Sequence, residues 1–232
     1  MRIADITWMH VEEYLKHDDR CVLPLGSTEQ HAYLSLAVDA VLSERAAADA
    51  AEPLGVPVFP VVAYGLTPYF MAYPGTVTLT LETYQRVLAE VLGSLEHHGF
   101  RRIVIVNGHG GNSSARPGVE AWADARPDVT LRWHNWWSAP DTIAVVHAMD
   151  PDASHASWME GFAWTRVDGV QMPTDHKDPI DVSGREELSA EQFRERLGDG
   201  AFGGDYRRSE EDSARVWSVA VQETRRQIEE GW

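Results

Sequence analysis

The chain is poor in cysteine, in positive charge and in long apolar runs. Its 232 residues include one cysteine, Cys21, so no disulfide can form within it. Lys and Arg number 20 against 36 Asp and Glu, a net charge of −16, which argues against nucleic-acid or anionic-membrane partners because such binding depends on cations. No apolar run approaches the roughly 18 residues of a membrane span, and the N-terminus has no apolar signal core. We therefore expect a cytoplasmic protein.

Hydrophobic residues make up 44% of the chain, enough for a sizeable core despite the charge. The length favours a single domain over residues 1–232 rather than two small ones. Cys21 opens the apolar run Cys21–Leu25 and is expected to be a buried structural residue.

Short apolar runs alternate with longer amphipathic stretches, a pattern that predicts an α/β fold with parallel strands and crossover helices. Residues 170–204 read as an irregular excursion. The predicted strands are Cys21–Leu25, Pro57–Val62, Ile103–Val106 and Thr130–Trp133, and the predicted helices are Asp39–Glu52, Leu81–His98, one capped by Ser113 or Ser114, Ala153–Val167, Ser189–Leu197 and Glu210–Glu230.

Polar residues follow the first predicted strand at its carboxyl end, where parallel sheets bind ligands. Glu29 and His31 are two residues apart, so in an extended segment both side chains leave on the same side. A carboxylate beside an imidazole suits Zn²⁺ or Mn²⁺, and Asp39, at the predicted start of the next helix, is placed to close the same site. The alternative is a polar loop in which Asp39 is an ordinary N-cap.

A glycine-rich loop, Asn107–Asn112, follows the strand Ile103–Val106 and carries His109. Glycines permit close backbone approach, and the N-terminus of a following helix offers free N–H groups. The loop is therefore either the position of a metal-ligating His109 or a cradle for an anion, with a plain glycine turn as the third alternative.

His155 and Glu160 fall in the predicted helix Ala153–Val167. Residues five apart on a regular helix point about 140° apart. The two side chains therefore converge only if His155 precedes the helix and Glu160 lies in its first turns. A surface pair is the alternative.

Substrate contacts are expected from Thr67, Gly110, Trp136 and Trp137. The two tryptophans belong with Trp133 to an aromatic cluster after a predicted strand. This cluster is either a wall for a flat ligand or core packing.

Taken together, these segments resemble the creatininase (creatinine amidohydrolase) family. They occur in family order between residues 20 and 165, the first and third are specific, and the C-terminal third adds no match. The matching stretches are Leu25–His31 with Asp39, Tyr73–Leu79, Val106–Asn112 and His155–Glu160.

The resemblance implies a three-layer α/β/α fold with a mostly parallel central sheet and a homo-oligomer, commonly a hexamer. It also implies two divalent metal ions per chain, Zn²⁺ and/or Mn²⁺ with Fe as a further option. The family's activity is hydrolysis of C–N amide bonds in small, often cyclic substrates.

Ligand roles carry over by the same resemblance. Glu29 and His109 would bind one ion, His31 the other, and Asp39 would bridge both. Gly111 stands where creatininase itself has a glutamate, so Glu160 is the expected replacement on the second ion. His155 would transfer a proton.

The chain also departs from the family pattern. The segment from Glu29 to Asp39 is one residue shorter than is usual, Phe70 stands where many members have histidine, and Trp158 replaces a glutamate. These changes argue against creatinine itself as the substrate.

We therefore expect a binuclear metal-dependent amidohydrolase that cleaves a small, creatinine-like or lactam-like amide with a hydroxide held between the metals. His155 would protonate the departing nitrogen. One alternative is a metal-dependent deformylase or peptide-trimming hydrolase of the same superfamily. Another, from a different class, is a non-catalytic phosphate- or nucleotide-binding protein that uses the loop Asn107–Asn112. The acidic charge balance favours a neutral or cationic amide.

Overall fold

A three-stranded parallel sheet lies at the centre of the computed structural model, which describes residues 1–230 and 232. The strands are β1 (Arg20–Leu25), β2 (Arg102–Asn107) and β3 (Thr130–Asn135), in that order across the sheet. The helices are α1 (Trp8–Tyr14), α2 (Val38–Ala51), α3 (Leu81–His98), α4 (Arg116–Asp124), α5 (Pro140–Met149), α6 (Ala190–Leu197) and α7 (Glu210–Glu229). Two short strands, β4 (His176–Lys177) and β5 (Gly204–Asp205), pair separately and antiparallel.

The strands are apolar on both faces because helices cover both sides of the sheet. Alternate residues of β1 and β2 therefore enter two different cores. Cys21, Leu23 and Ile105 pack with α3 and α4, whereas Val22 and Val104 pack with α2 and α7. The predicted α/β fold is confirmed, and Cys21 is buried as expected.

The predicted strand Pro57–Val62 forms only isolated parallel bridges to β1, at Val58 and Val62. These bridges place the segment on the side of β1 opposite to β2. The first extended segment after β1 therefore lies on one side of β1, and the next strand, β2, lies on the other side. This reversal creates a switch point between β1 and β2. In open α/β sheets such a point marks the ligand crevice.

The predicted end of one helix is confirmed and that of another is wrong. Helix α3 has the predicted bounds: Thr80 accepts a hydrogen bond from the Thr83 backbone N–H at its start, and Gly99 closes it at a φ of 108°. The predicted Ser113 or Ser114 cap is wrong, because both serines lie within the 3₁₀ helix Gly110–Ala115 that leads directly into α4.

The predicted helix Ala153–Val167 is also wrong. The segment consists of turns and one 3₁₀ helix, Trp158–Glu160, with Ala156 at a φ of 62°. The helix in this part of the chain is α5, whose β-branched, apolar sequence gave no clear amphipathic signal. Glu223 of α7 accepts hydrogen bonds from the backbone N–H groups of Asp141 and Thr142 and so satisfies the first turn of α5.

Residues 170–204 form the expected irregular excursion, with α6 as its helix and Ser189 as the N-cap. Phe193 and Leu197 of α6 pack against Phe70 and Tyr73, which fixes the excursion beside the carboxyl ends of the strands. Within the described residues, no helix is both long enough and apolar enough to span a bilayer.

Candidate metal centre

The buried polar side chains predicted from three sequence segments meet at the switch point between β1 and β2. Glu29 and His31 follow β1, His109 follows β2, and Asp39 lies in the first turn of α2. All four are almost completely buried. Burial of two carboxylates and two imidazoles is costly unless these groups pair with one another or coordinate a metal.

Asp39 connects two groups of possible metal ligands through its two oxygens. Its Oδ1 lies 3.0 Å from Nε2 of His31, and its Oδ2 lies 2.9 Å from Nδ1 of His109. One group is Glu29, Asp39 and His109, and the other is His31, Asp39 and Glu160; within each, the ligand atoms lie within 4.8 Å of one another. Asp39 is the residue common to both, which is the arrangement of a bridging carboxylate.

Backbone carbonyls set the orientation of both imidazoles. Nε2 of His109 donates to the Leu66 carbonyl oxygen at 3.0 Å, and Nδ1 of His31 lies 3.3 Å from the Glu29 carbonyl oxygen. A carbonyl can only accept, so the opposite nitrogen of each ring is the one that faces the carboxylates. Metal-ligating histidines are usually oriented in this way by a partner outside the metal shell.

One buried oxygen of the cluster has no hydrogen-bond partner in the described structure. It is Oε2 of Glu29, whose side chain is 1% exposed. An orphaned carboxylate oxygen in such a place is expensive unless a ligand satisfies it. Together with the mixed imidazole and carboxylate donors, it fits a site for Zn²⁺ or Mn²⁺.

Gly111 is required by close packing at the same site. A Cβ atom there would overlap the Leu66 carbonyl oxygen and approach Nε2 of His109 to 2.6 Å. No side chain, and so no ligand, can project from this position without moving the partner of His109. The carboxylate of the second group comes instead from Glu160, whose Oε2 lies 3.9 Å from Nε2 of His31.

Charges in the cluster perturb one another strongly. Burial acts to lower the pKa of His31, but the charge and hydrogen bond of Asp39 raise it to about 9. Burial likewise opposes protonation of His109, while Glu29 and Asp39 hold its pKa well above the ordinary value. Burial raises the pKa of Glu160 to about 7. The metal-free cluster therefore retains protons that a cation would displace.

His155 lies just before the 3₁₀ helix that carries Glu160, so the two side chains converge despite their spacing of five. Nδ1 of His155 lies 3.8 Å from Oε1 of Glu29, and its ring centroid lies 4.4 Å from that of His31. Glu160 is held by the Ala156 backbone N–H, which donates to its Oε2 at 2.6 Å. The left-handed Ala156 makes this tight turn possible.

Gln30, which sequence reasoning did not single out, sets the tautomer of His155. Its Oε1 accepts from the Ala32 N–H, so its Nε2 is the end that donates, to the Gly200 carbonyl and to Nε2 of His155 at 2.9 Å. Nε2 of His155 is therefore an acceptor, and Nδ1 carries the proton on the side facing Glu29. Burial, reinforced by His31, lowers the pKa of His155, which keeps the ring neutral.

A cavity of about 360 Å³ opens beside the cluster. Of the predicted substrate contacts, Gly110 and Trp137 line it, whereas Trp136 lies in the core against Trp217 and Thr67 is fully buried away from the cavity wall. For Trp136, packing in the core is therefore the alternative that the structure shows. The lining also includes Tyr69, and residues that the sequence did not indicate: His147, Arg185 and Phe202.

A separate group of possible ligands, Asp150, Asp152 and His176, lies outside this cavity. Here His176 is already hydrogen-bonded to Asp152 and Asp205 at 3.1 and 2.9 Å, and Asp150 accepts from the Trp158 indole. These contacts account for the group without a ligand.

The chain is similar to proteins of one known family. Residues 4–228 match the family model "Creatininase: Creatinine amidohydrolase". Over 119 residues the chain is 32% identical to the creatinine amidohydrolase of Pseudomonas putida, covering 48% of this chain and 45% of that protein. Over 101 residues it is 38% identical to the mycofactocin precursor peptide peptidase of Mycolicibacterium smegmatis, covering 40% of each. The matched segments thus span less than half the length of these curated relatives.

Solved structures extend the likeness to the whole fold. A creatininase described as "Creatininase Mn" has a TM-score of 0.76 at 21% identity and covers 99% of both chains. A creatininase variant of "Zn-Zn type" has a TM-score of 0.77 at 21% identity, covering 99% of this chain and 98% of that one. At this identity the similarity concerns the fold.

Proposed function

Because this chain belongs to the creatininase family, we propose that it is a binuclear metal-dependent amidohydrolase that hydrolyses a C–N bond in a small, lactam-like amide. The observation that carries the proposal is the position of Asp39, which presents one oxygen to each of two ligand groups. Glu29 and His109 would complete the first metal position, and His31 and Glu160 the second. Divalent ions in such a site supply an activated water molecule and polarise the amide carbonyl.

The protein's own residues provide proton transfer. His155 holds its proton on Nδ1, facing the cluster, because Gln30 donates to its other nitrogen. An amide nitrogen is a poor leaving group until it is protonated, and a neutral imidazole beside the reacting bond is suited to that step. Phe70 stacks on His155 with ring centroids 5.0 Å apart and limits access of water to the ring.

The alternative of a peptide-trimming hydrolase is supported by the identity to the mycofactocin precursor peptide peptidase. The same metal-ligand groups and His155 would serve either substrate, since both reactions break a C–N amide bond. By contrast, phosphate binding at the loop Asn107–Asn112 is disfavoured. The side chain of His109 faces Glu29 and Asp39, whose charges would repel an anion at that point.

The first experiment is metal analysis of protein produced with Zn²⁺ or Mn²⁺ in the medium. We expect about two ions per chain in the wild type, about one in Glu160→Gln and almost none in Asp39→Ala. Glu44→Ala is the matched control, because Glu44 is a more exposed carboxylate on the same helix, paired with Arg2. A wild-type content of zero or one ion, or full retention in Asp39→Ala, would overturn the binuclear proposal.

The substrate class is tested with the metal-loaded enzyme on matched lactams, linear formamides and short peptides. Turnover of lactams in preference to the others supports the proposal, whereas preferential release of residues from peptides supports the peptidase alternative. No hydrolysis of any amide would contradict both.

A further inference from the structure

Arg185 brings a permanent positive charge into the wall of the cavity. Among the described residues that line it, Arg185 is the one Lys or Arg. It lies in the 3₁₀ helix Arg185–Glu187, within the irregular excursion, and so comes from a different part of the chain than the metal-ligand cluster. The proposed reaction makes no use of this group.

The N–H donors of the Arg185 guanidinium are available to a ligand. It lies 5.3 Å from the ring centroid of Tyr69, which also lines the cavity, and this contact leaves the planar N–H groups free. Its nearest carboxylate, Glu186, is 3.8 Å away on a side chain that is 75% exposed, a pair that contributes little in water. Within residues 1–230 and 232, no atom accepts a hydrogen bond from this guanidinium.

Tyr69 holds the cation in a defined position. Its ring packs edge to face against Phe70 and Phe193, with centroid distances of 4.7 and 6.0 Å. Burial raises the pKa of its hydroxyl to about 12, so the hydroxyl is a neutral donor at physiological pH. Arg185 thus rests on a fixed aromatic platform with its edge available to a ligand.

The charge inside a metal-loaded cavity would differ from that of the molecule. The chain carries −16 overall, but two divalent ions would balance the three carboxylates Glu29, Asp39 and Glu160 together with a hydroxide. Arg185 adds one uncompensated positive charge, and its side chain is 35% exposed, so it is partly shielded from bulk water. The expectation of a neutral or cationic substrate, based on net charge, does not describe this local field.

We propose that Arg185, supported by Tyr69, is a binding subsite for a carboxylate that the substrate carries away from the scissile amide. The substrate class is therefore a small amide with a remote carboxylate. The planar guanidinium of Arg185 can donate two parallel hydrogen bonds to the two oxygens of one carboxylate. This inference rests on the proposed amidohydrolase function for the position of the amide, but the subsite itself is a property of the excursion.

The test uses N-formyl ω-amino acids with one to four methylene groups between amide and carboxylate, each paired with its neutral terminal carboxamide. Calorimetry measures binding to the metal-loaded wild type, Arg185→Gln, Arg185→Lys and Arg215→Gln. The last variant removes the same charge from the exposed surface of α7 and is the matched control.

We expect the wild type to bind the carboxylate of optimal length about tenfold more tightly than its carboxamide, in line with a hydrogen-bonded charge. Arg185→Gln should abolish this preference, Arg185→Lys should retain part of it, and Arg215→Gln should leave it intact. For any member that is hydrolysed, Arg185→Gln should raise KM and leave kcat nearly unchanged.

A preference that persists in Arg185→Gln would assign the carboxylate to the metal ions and overturn the proposal, as would equal binding of both members of every pair. The two proposals fail separately. Charge-dependent binding without hydrolysis of any amide would contradict the amidohydrolase function alone, whereas hydrolysis without charge preference would contradict the subsite alone.

Discussion

Two walls of different construction meet at the cavity. The sheet-edge wall consists of Glu29, His31, Asp39 and His109, which follow β1 and β2 or lie in the first turn of α2. The irregular wall consists of residues 153–160 and 170–204. Its side chains are placed by turns, 3₁₀ helices and α6, and its links to the sheet-edge wall include side-chain hydrogen bonds such as those of Gln30.

This difference separates the two tasks of the proposed enzyme. Metal binding would depend mainly on elements that also form the core, so Glu29, His31, Asp39 and His109 cannot change without disturbing the sheet. Glu160 is the exception, because it comes from the irregular wall. Proton transfer by His155 and substrate selection by Arg185 would depend on segments of turns and 3₁₀ helix rather than on the strands of the central sheet. Such segments can differ among relatives while the metal site stays the same, which suits a family whose members have different substrates.

The largest effect expected in the sheet-edge wall is the pH dependence of metal binding. The raised pKa values of His31 and His109 keep both rings protonated near pH 7 when no metal is bound. Binding must displace these protons, so affinity should fall by more than tenfold for each pH unit from 8 to 6. Calorimetric titration with Zn²⁺ in buffers of different ionisation enthalpy would measure both the affinity and the protons released.

His147→Gln is the control for this titration, because His147 lines the cavity but belongs to neither metal-ligand group. Its pH dependence should equal that of the wild type. Affinity independent of pH, with no buffer-dependent heat, would show that the imidazoles are already neutral in the metal-free protein.

A smaller effect on the same wall is expected from Gly111→Ala. The new Cβ overlaps the Leu66 carbonyl oxygen and must displace the group that orients His109. We expect metal affinity to fall by about 10–100-fold, as for other changes behind a ligand, and stability to fall by about 1–3 kcal/mol. Metal titration and thermal unfolding measure the two effects.

Gly110→Ala is a strict comparison for this variant, since no atom lies within 4 Å of a Cβ at that position. Metal affinity and stability should stay at the wild-type level in Gly110→Ala. Equal behaviour of the two alanine variants would mean that the loop adjusts freely and that the Leu66 contact does not orient His109.

The sheet-edge wall could be predicted from the sequence because its residues follow regular elements with clear hydrophobic patterns. The bounds of β1 and β2 place Glu29 and His109 at one edge of the sheet, and spacing alone brings His31 beside Glu29. The resemblance to the creatininase family added the roles of these residues.

The irregular wall could not be predicted in the same way. The segment Ala153–Val167 has enough apolar residues to suggest a helix, but Ala156 adopts a left-handed φ and Glu160 binds its backbone N–H, contacts that no periodicity reveals. Arg185 reaches the cavity because α6 packs on Phe70, which is a tertiary effect. Gln30 gave no signal beyond its position between two candidate ligands.

The smallest effect expected concerns the joint between the two walls, Gly200. A Cβ there would overlap Oε1 of Gln30, and the φ of +105° is itself unfavourable for alanine. Gly200→Ala should therefore displace the Gln30 amide, remove its hydrogen bonds and release His155 from its tautomer. Gly99→Ala has a matching φ of +108°, and a Cβ there would meet only Leu15 side-chain carbons at 4.0 Å, so it reports the backbone cost alone. Gly200→Ala should lose about 1–2 kcal/mol more stability than Gly99→Ala and should lower kcat about tenfold or more, while the metal content stays at the wild-type level. If Gly200→Ala instead lost metal along with activity, the contribution of the irregular wall to the metal site would extend beyond Glu160, and the division between the two walls would be wrong.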